Sequence, residues 1–338
     1  MSLLLKLLRK LFGLGKSAPE PIVDPKPATP VDNPNEPTQL TTNRVLLIIY
    51  DPIMDAATGQ KLSQRPGWNN PDNLTVGFSA DILENSYGMA RYEIIERIEV
   101  NEFPAKKDGF RYSPSLYLDV ITKVTPPYEP QDVDYHAILE DFNIVERIEK
   151  NEIDEVWVFA FPYAGFYESI MAGKDAFWCN APPLTGTSHI SRRFVIMGFS
   201  YERGVGEMLE AFTHRVESHM ERTFSKTRGE ANLWERYTRY DKKNPGQAEM
   251  GNVHFAPNSE KDYDWANPRF TSSNCYDWYN FPYFRGDIRQ VNASEWGNGD
   301  IRIHHQWWLK HIPHVAGRLN GVHNNWWQYI LDPNKITV

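Results

Sequence analysis

Glu210 and His214 stand four residues apart in GVGEMLEAFTHRVESHMERTF, a stretch that reads as one helix from Gly204 to Phe224. Four residues is just over one helical turn, so the carboxylate and the imidazole lie one above the other and can reach a single cation. Glu207, Glu210, His214, Glu217 and Glu221 recur at steps of three or four and line one face. Met208, Ala211, Phe212, Arg215 and His219 lie elsewhere around the helix. A catalytic zinc takes three protein ligands and a water, so two side chains are not enough. The expected third ligand is His254, in the turn-flanked Gly-Asn-Val-His-Phe-Ala-Pro-Asn, or else His304 or His305 at the head of HHQWWLKHIPH. Six of the ten histidines fall between His254 and His323, which concentrates candidate ligands there. Glu207 or Glu217 would act as acid/base or would orient a ligating imidazole. This set suits metal-assisted hydrolysis with zinc as the expected ion. The plainer reading is a solvated acidic helix face with an incidental histidine.

The helix resembles, with departures, the metal-binding helix of zincins, whose pattern is H-E-x-x-H. Glu210 stands at the first histidine, Ala211 at the catalytic glutamate and His214 at the second histidine. The resemblance implies metal binding through Glu210 and His214. Ala211 removes the standard general base, and with it the implication of proteolysis. The blocks WCNAPPLTGT, RRFVIMGFSYERGVGEMLEAFTHRVES, GNVHFAPNSEKDYDW and HHQWWLKHIPHVAG together resemble a family of uncharacterised bacterial and fungal proteins. That resemblance spans about Asn43 to the C-terminus and implies one structural unit there, without implying an activity.

Two other chemistries fit the composition. The 11 Trp, 17 Tyr and 17 Phe would ordinarily fill a core, but beside abundant Asn, Asp and Gly they also suit the aromatic walls of a sugar-binding cleft. Trp307, Trp308, Trp326 and Trp327 would then be the stacking platforms of a glycan-binding protein or glycosidase. Glu207, Glu210, Asp262, Asp264, Glu295 and Asp300 would supply a carboxylate pair, which needs a separation of roughly 5–10 Å across the sugar. Gly198-Phe-Ser-Tyr-Glu202 follows a strand and precedes a helix, as a serine nucleophile elbow does, but lacks the final glycine of G-x-S-x-G. The third reading is a non-catalytic scaffold tethered to a membrane or partner.

The elements that must carry these residues are legible as apolar runs. Arg44 to Tyr50, Glu155 to Ala160 and Arg193 to Phe199 read as buried strands. Tyr92 to Val100 reads as another strand, and Leu116 to Val124 as a strand or short helix. Helices are expected over Asn73 to Asn85, Asp134 to Lys150, Gly204 to Phe224 and Ile301 to His311. The order predicts an α/β fold: a layered mixed sheet with helices, in a single large domain with an irregular, aromatic-rich C-terminal half. The words IIERIEVNEF and IVERIEKNEI look alike, yet the first is expected in a strand and the second in a helix. Cys179 and Cys275 are too few for a disulfide framework. A net charge of −8 argues against a nucleic-acid partner.

Residues 1–16, MSLLLKLLRKLFGLGK, place Lys6, Arg9, Lys10 and Lys16 on one side of a helix and leucines with Phe12 on the other. The pattern is that of an interfacial amphipathic helix for a membrane surface or partner protein, too short and too charged to span a bilayer. It predicts peripheral membrane association, with secretion as the alternative. Residues 17–42, with seven prolines, read as an extended linker, and residues 43–338 as the globular domain, acting on a peptide or glycan substrate.

Overall fold

The three apolar runs lie side by side. A computed structural model of the chain describes residues 33–337, so the amphipathic segment 1–16 and most of the expected linker lie outside the described residues. Strands β1 (Thr41–Tyr50), β4 (Ala90–Val100), β5 (Glu155–Ala160) and β7 (Phe194–Ser200) run parallel, and β6 (Ser169–Ala172) pairs antiparallel with β7. The sheet order is β4-β1-β5-β7-β6, with the short hairpin β2 (Ile53–Asp55) and β3 (Gln60–Lys61) after β1. Every residue of β5 is buried, which is why it has no polar alternation: a central parallel strand is covered on both faces.

Helices α1 (Pro71–Asn85), α2 (Pro114–Ile121), α3 (Tyr135–Asp141), α4 (Ile144–Glu149) and α5 (Val205–Thr223) fill the connections. After them come α6 (Leu233–Tyr237), strands β8 (Thr271–Ser273) and β9 (Arg289–Val291), α7 (Ile301–Lys310), the hairpin β10 (His314–Leu319) and β11 (Val322–Asn325), and α8 (Trp327–Leu331). The fold is mixed α/β, and between α5 and α7 most of the chain is irregular. The stretch from Asp134 to Lys150 is two short helices, because Asn143 adopts a left-handed conformation (φ 50°) between them. Order also reaches past the expected boundary at Asn43: Glu36 pairs with Arg318 at 2.6 Å, and β1 begins at Thr41. The two cysteines are free and buried.

Helix α5 packs on α1, α7 and α8. Its close approach to α7 requires Gly206, where an added Cβ would lie 2.5 Å from Ile301 Cγ2. On the sheet side a fully buried ion pair holds the helix, with Arg215 Nη1 2.6 Å from Glu155 Oε1 on β5. Trp157 Nε1 donates to Glu155 Oε1 at 2.8 Å and Asn43 Nδ2 to Oε2 at 2.8 Å, while Arg215 Nη2 and Asn43 Nδ2 both reach Leu331 O at 3.0 Å. Two strands and two helices therefore share one polar knot inside an apolar core.

The four expected stacking platforms belong to that core. Trp307, Trp308, Trp326 and Trp327 are 8, 0, 1 and 0 % exposed. Trp308 and Trp326 pack edge-on around Tyr237 at 5.1 and 5.9 Å, Trp327 stacks on Phe212 at 6.3 Å, and Trp307 leans on Trp296 at 5.1 Å. A platform must offer a ring face to solvent, and these offer none, so the substrate-binding role expected for them is withdrawn.

Removing the acid from the knot should be costly. Glu155→Ala leaves Arg215 buried without its partner and is expected to lower unfolding free energy by about 3–5 kcal/mol. Urea denaturation of the full chain measures this, and a loss below about 1 kcal/mol would show the pair to be dispensable.

Candidate functional site

With Arg215 and Phe212 turned into the core, the opposite side of α5 presents Glu210, His214 and Glu217 to the segment 249–264. That segment is held close by its own turn. Gly251 has φ +75°, and a Cβ there would sit 2.0 Å from Phe255 O, so only glycine fits. Asn252 Oδ1 accepts the N–H groups of His254 and Phe255 at 3.1 and 3.0 Å, a side-chain turn that fixes the His254 backbone. Glu217 Oε1 accepts the Val253 N–H at 3.1 Å and ties the turn to the helix.

The result is a convergence of three groups. His254 Nε2 lies 3.1 Å from His214 Nε2 and 3.5 Å from Glu210 Oε1, and one donor atom from each residue falls within 4.8 Å of the other two. Around a tetrahedral zinc with bonds of about 2.05 Å, neighbouring ligand atoms are about 3.3 Å apart. The two observed separations bracket that edge length. Each histidine also has a carboxylate at its other nitrogen: Glu217 Oε2 lies 3.3 Å from His214 Nδ1, and Asp262 Oδ1 lies 3.1 Å from His254 Nδ1. A carboxylate there places the proton on Nδ1 and turns both Nε2 lone pairs inward. Two lone pairs 3.1 Å apart repel unless a proton or a metal cation lies between them.

The charges around His254 favour a proton there. The hydrogen bond that the Glu210 carboxylate accepts is the largest influence on His254 and raises its pKa above the usual value, with Asp262 and Glu217 acting the same way against burial. Burial pushes the Glu210 carboxyl up, but hydrogen bonds from His254 and Tyr263 outweigh it and leave Glu210 below the ordinary range.

The other expected residues are placed differently. Glu207 is a helix cap, accepting the Gly204 N–H at 3.0 Å. Glu217 accepts the Val253 N–H and lies beside His214 Nδ1. His304 is buried and stacked on Trp265 at 4.7 Å, and neither ring nitrogen has a hydrogen-bond partner among the described residues. His305 bonds Ile301 O through Nδ1 at 2.7 Å, and burial pushes it down to about 4. It lies near enough to Glu210 for their charges to interact, but outside the converging trio. Neither histidine joins Glu210 and His214 in the converging trio; His254 does. Packing of α7 against α5 turned His304 and His305 into the helical interface, which the HH pair could not reveal.

Of the carboxylates expected for glycoside hydrolysis, Glu210 and Asp262 both face His254 and Glu207 lines the same cleft as Glu210, while the other three serve local tasks. Asp264 accepts Glu260 N–H at 3.0 Å, Glu295 pairs with the Tyr276 hydroxyl, and Asp300 caps α7 by accepting Ile303 N–H at 2.9 Å. Ser200 Oγ accepts Glu202 N–H at 3.3 Å, and no imidazole hydrogen-bonds to it among the described residues. Glu168 and Tyr263 were missed. Glu168 lines a cleft of about 300 Å³ at the ends of β5 and β7, together with Ser200, Arg203, Glu207 and Glu210. Tyr263 gives no periodic signal, although its nearness to His254 in an Asp-Tyr pair was a usable one.

No family model matches the chain, and neither does any curated protein or solved structure. Among the described residues no helix is long and apolar enough to cross a membrane.

The His254 proton makes a testable linkage. A folded pKa raised above the unfolded value of 6.5 means that the folded state holds the proton more tightly. The stability this contributes is complete below pH 6.5 and is lost as pH rises through the raised value. In metal-free protein, imidazole NMR titration should place His254 above 6.5, and Glu210→Gln should move it down. An unmoved His254 in that variant would show that Glu210 does not hold the proton.

Proposed function

We propose that the chain is a metal-dependent hydrolase that holds its cation through Glu210, His214 and His254, with zinc the ion best suited to two imidazoles and a carboxylate. The observation that carries the reading is the pair of inward Nε2 atoms 3.1 Å apart, each backed by a carboxylate at Nδ1. Structural histidines seldom need such backing, whereas ligating histidines almost always have it. A cation bound there would polarise a scissile carbonyl and lower the pKa of a coordinated water.

The chain's own residues divide the remaining work. Glu217 and Asp262 fix the tautomers and orientation of the two imidazoles. The cleft beside Glu210 receives the substrate, and Arg203 on its wall offers a charge-assisted hydrogen bond to a carboxylate or carbonyl. With Ala211 in place of a helix-borne base and Glu207 committed to its cap, Glu168 is the general base. It is exposed on the same cleft, and Asn180 Nδ2 donates to its Oε2 at 2.6 Å. Peptides and esters are the substrate class that fits this arrangement. The amphipathic residues 1–16 would deliver the domain to a membrane surface.

Elemental analysis of the purified full chain is expected to find near-stoichiometric zinc or another transition metal, lost in His214→Ala. Glu210→Ala should likewise abolish hydrolysis of peptide or ester probes with the fold retained. Metal-free, well-folded wild type that remains active would end this assignment. Glu217→Gln and Asp262→Asn, which remove only the orienting partners, should weaken zinc affinity by about 10–100-fold. Glu168→Gln should keep the metal and lower kcat by about 10²–10⁴-fold. Unchanged kcat would return the base to another group.

A further inference from the structure

Tyr263 takes part in the converging trio in a way that neither packing nor orientation of His254 requires. Its Oη lies 3.0 Å from His254 Nε2, on the side that faces His214, and it is near enough to the Glu210 carboxylate to influence it. His254 Nε2 has polar neighbours at 3.0, 3.1 and 3.5 Å for one proton or one lone pair. Hydrogen bonding alone serves this cluster poorly. Four donors around one cation serve it well.

The backbone around Tyr263 is committed to that placement. Tyr263 has φ 56°, a left-handed conformation that is unfavourable for a bulky residue and persists only where its surroundings enforce it. Its N–H donates to His254 O at 3.1 Å, while the preceding Asp262 stands at His254 Nδ1. Two consecutive residues thus address both nitrogens of one histidine. The Tyr263 ring lies against His254 at 4.3 Å and edge-on to Trp265 at 5.3 Å. Its other side faces solvent, the residue being 51 % exposed. Nothing buries the ring so deeply that it could not swing out.

We propose that Tyr263 is a fourth, displaceable ligand, which closes the cation site at rest and leaves it when water or substrate enters. This rests on the cation site proposed above. On closure the phenol O–H bond breaks, its proton leaves to solvent and the phenolate oxygen bonds the cation. On opening, a water takes that position and passes one proton to the departing phenolate, which leaves as neutral phenol. The site is then an activated water generator only while Tyr263 is away from it.

The test is proton release on zinc binding to the full chain, measured by calorimetry at one pH in two buffers of different ionisation enthalpy. Wild type is expected to release one proton more per zinc than Tyr263→Phe, which keeps the ring and its contacts. Copper(II) gives a second readout: wild type should develop a visible phenolate-to-metal charge-transfer band that Tyr263→Phe lacks while still binding copper. Equal proton release and identical copper spectra, with both proteins binding one metal, would overturn the fourth-ligand assignment and leave the three-residue site standing. If neither protein takes up zinc or copper in excess of His214→Ala, the cation site itself fails, and the fourth ligand with it.

Discussion

The buried pair of Arg215 and Glu155 sets the rotation of α5 about its own axis. Two charges without exposure are expensive to desolvate, and the cost is offset only by close pairing and further hydrogen bonds. Here Trp157 and Asn43 bond the carboxylate and Leu331 O accepts from Arg215 Nη2, leaving only Arg215 Nε without a partner among the described residues, and these contacts hold the arginine in place. A helix whose residue 215 must meet β5 has its residues 210, 214 and 217 turned to the far side. The chemistry of the candidate site is thus a consequence of an interaction on the opposite face of the same helix.

On that far face the local physics is a contest for one point in space. Carboxylates at both Nδ1 atoms turn two Nε2 lone pairs toward each other and toward Glu210. A proton on His254 would relieve the repulsion, and so would a cation, with more ligands. The features that raise the His254 pKa are therefore the same ones that would bind a metal, and protons and metal must compete.

How much of this was legible depended on range. The amphipathic order of α5 is local, and it was enough to put Glu210, His214 and Glu217 on one face. His254 was one of three candidates, and nothing local chose among them. The choice came from Gly251 and Asn252, which fold the turn, and from Glu217, which ties it to the helix. The tryptophans were misleading because a Trp pair on a short helix looks the same from sequence whether its rings meet solvent or other rings. The packing of α7 and α8 against the rest of the domain decided for the interior.

The words IIERIE and IVERIE mark the division most clearly. The first lies in β4 with Ile94 and Ile95 partly exposed, and the second forms α4 with Ile144 and Ile148 buried. Sequence by itself determined the alternation of apolar strands and amphipathic helices, and hence the α/β class, because burial imposes a period on neighbouring residues. Tertiary structure alone decided which histidine joined Glu210 and His214, which carboxylates stood behind the imidazoles, and that Tyr263 stood beside them. The contacts that bring His254 to Glu210 and His214 join residues 40 or more positions apart on α5 and the segment after it, and no periodicity records a distance of that kind.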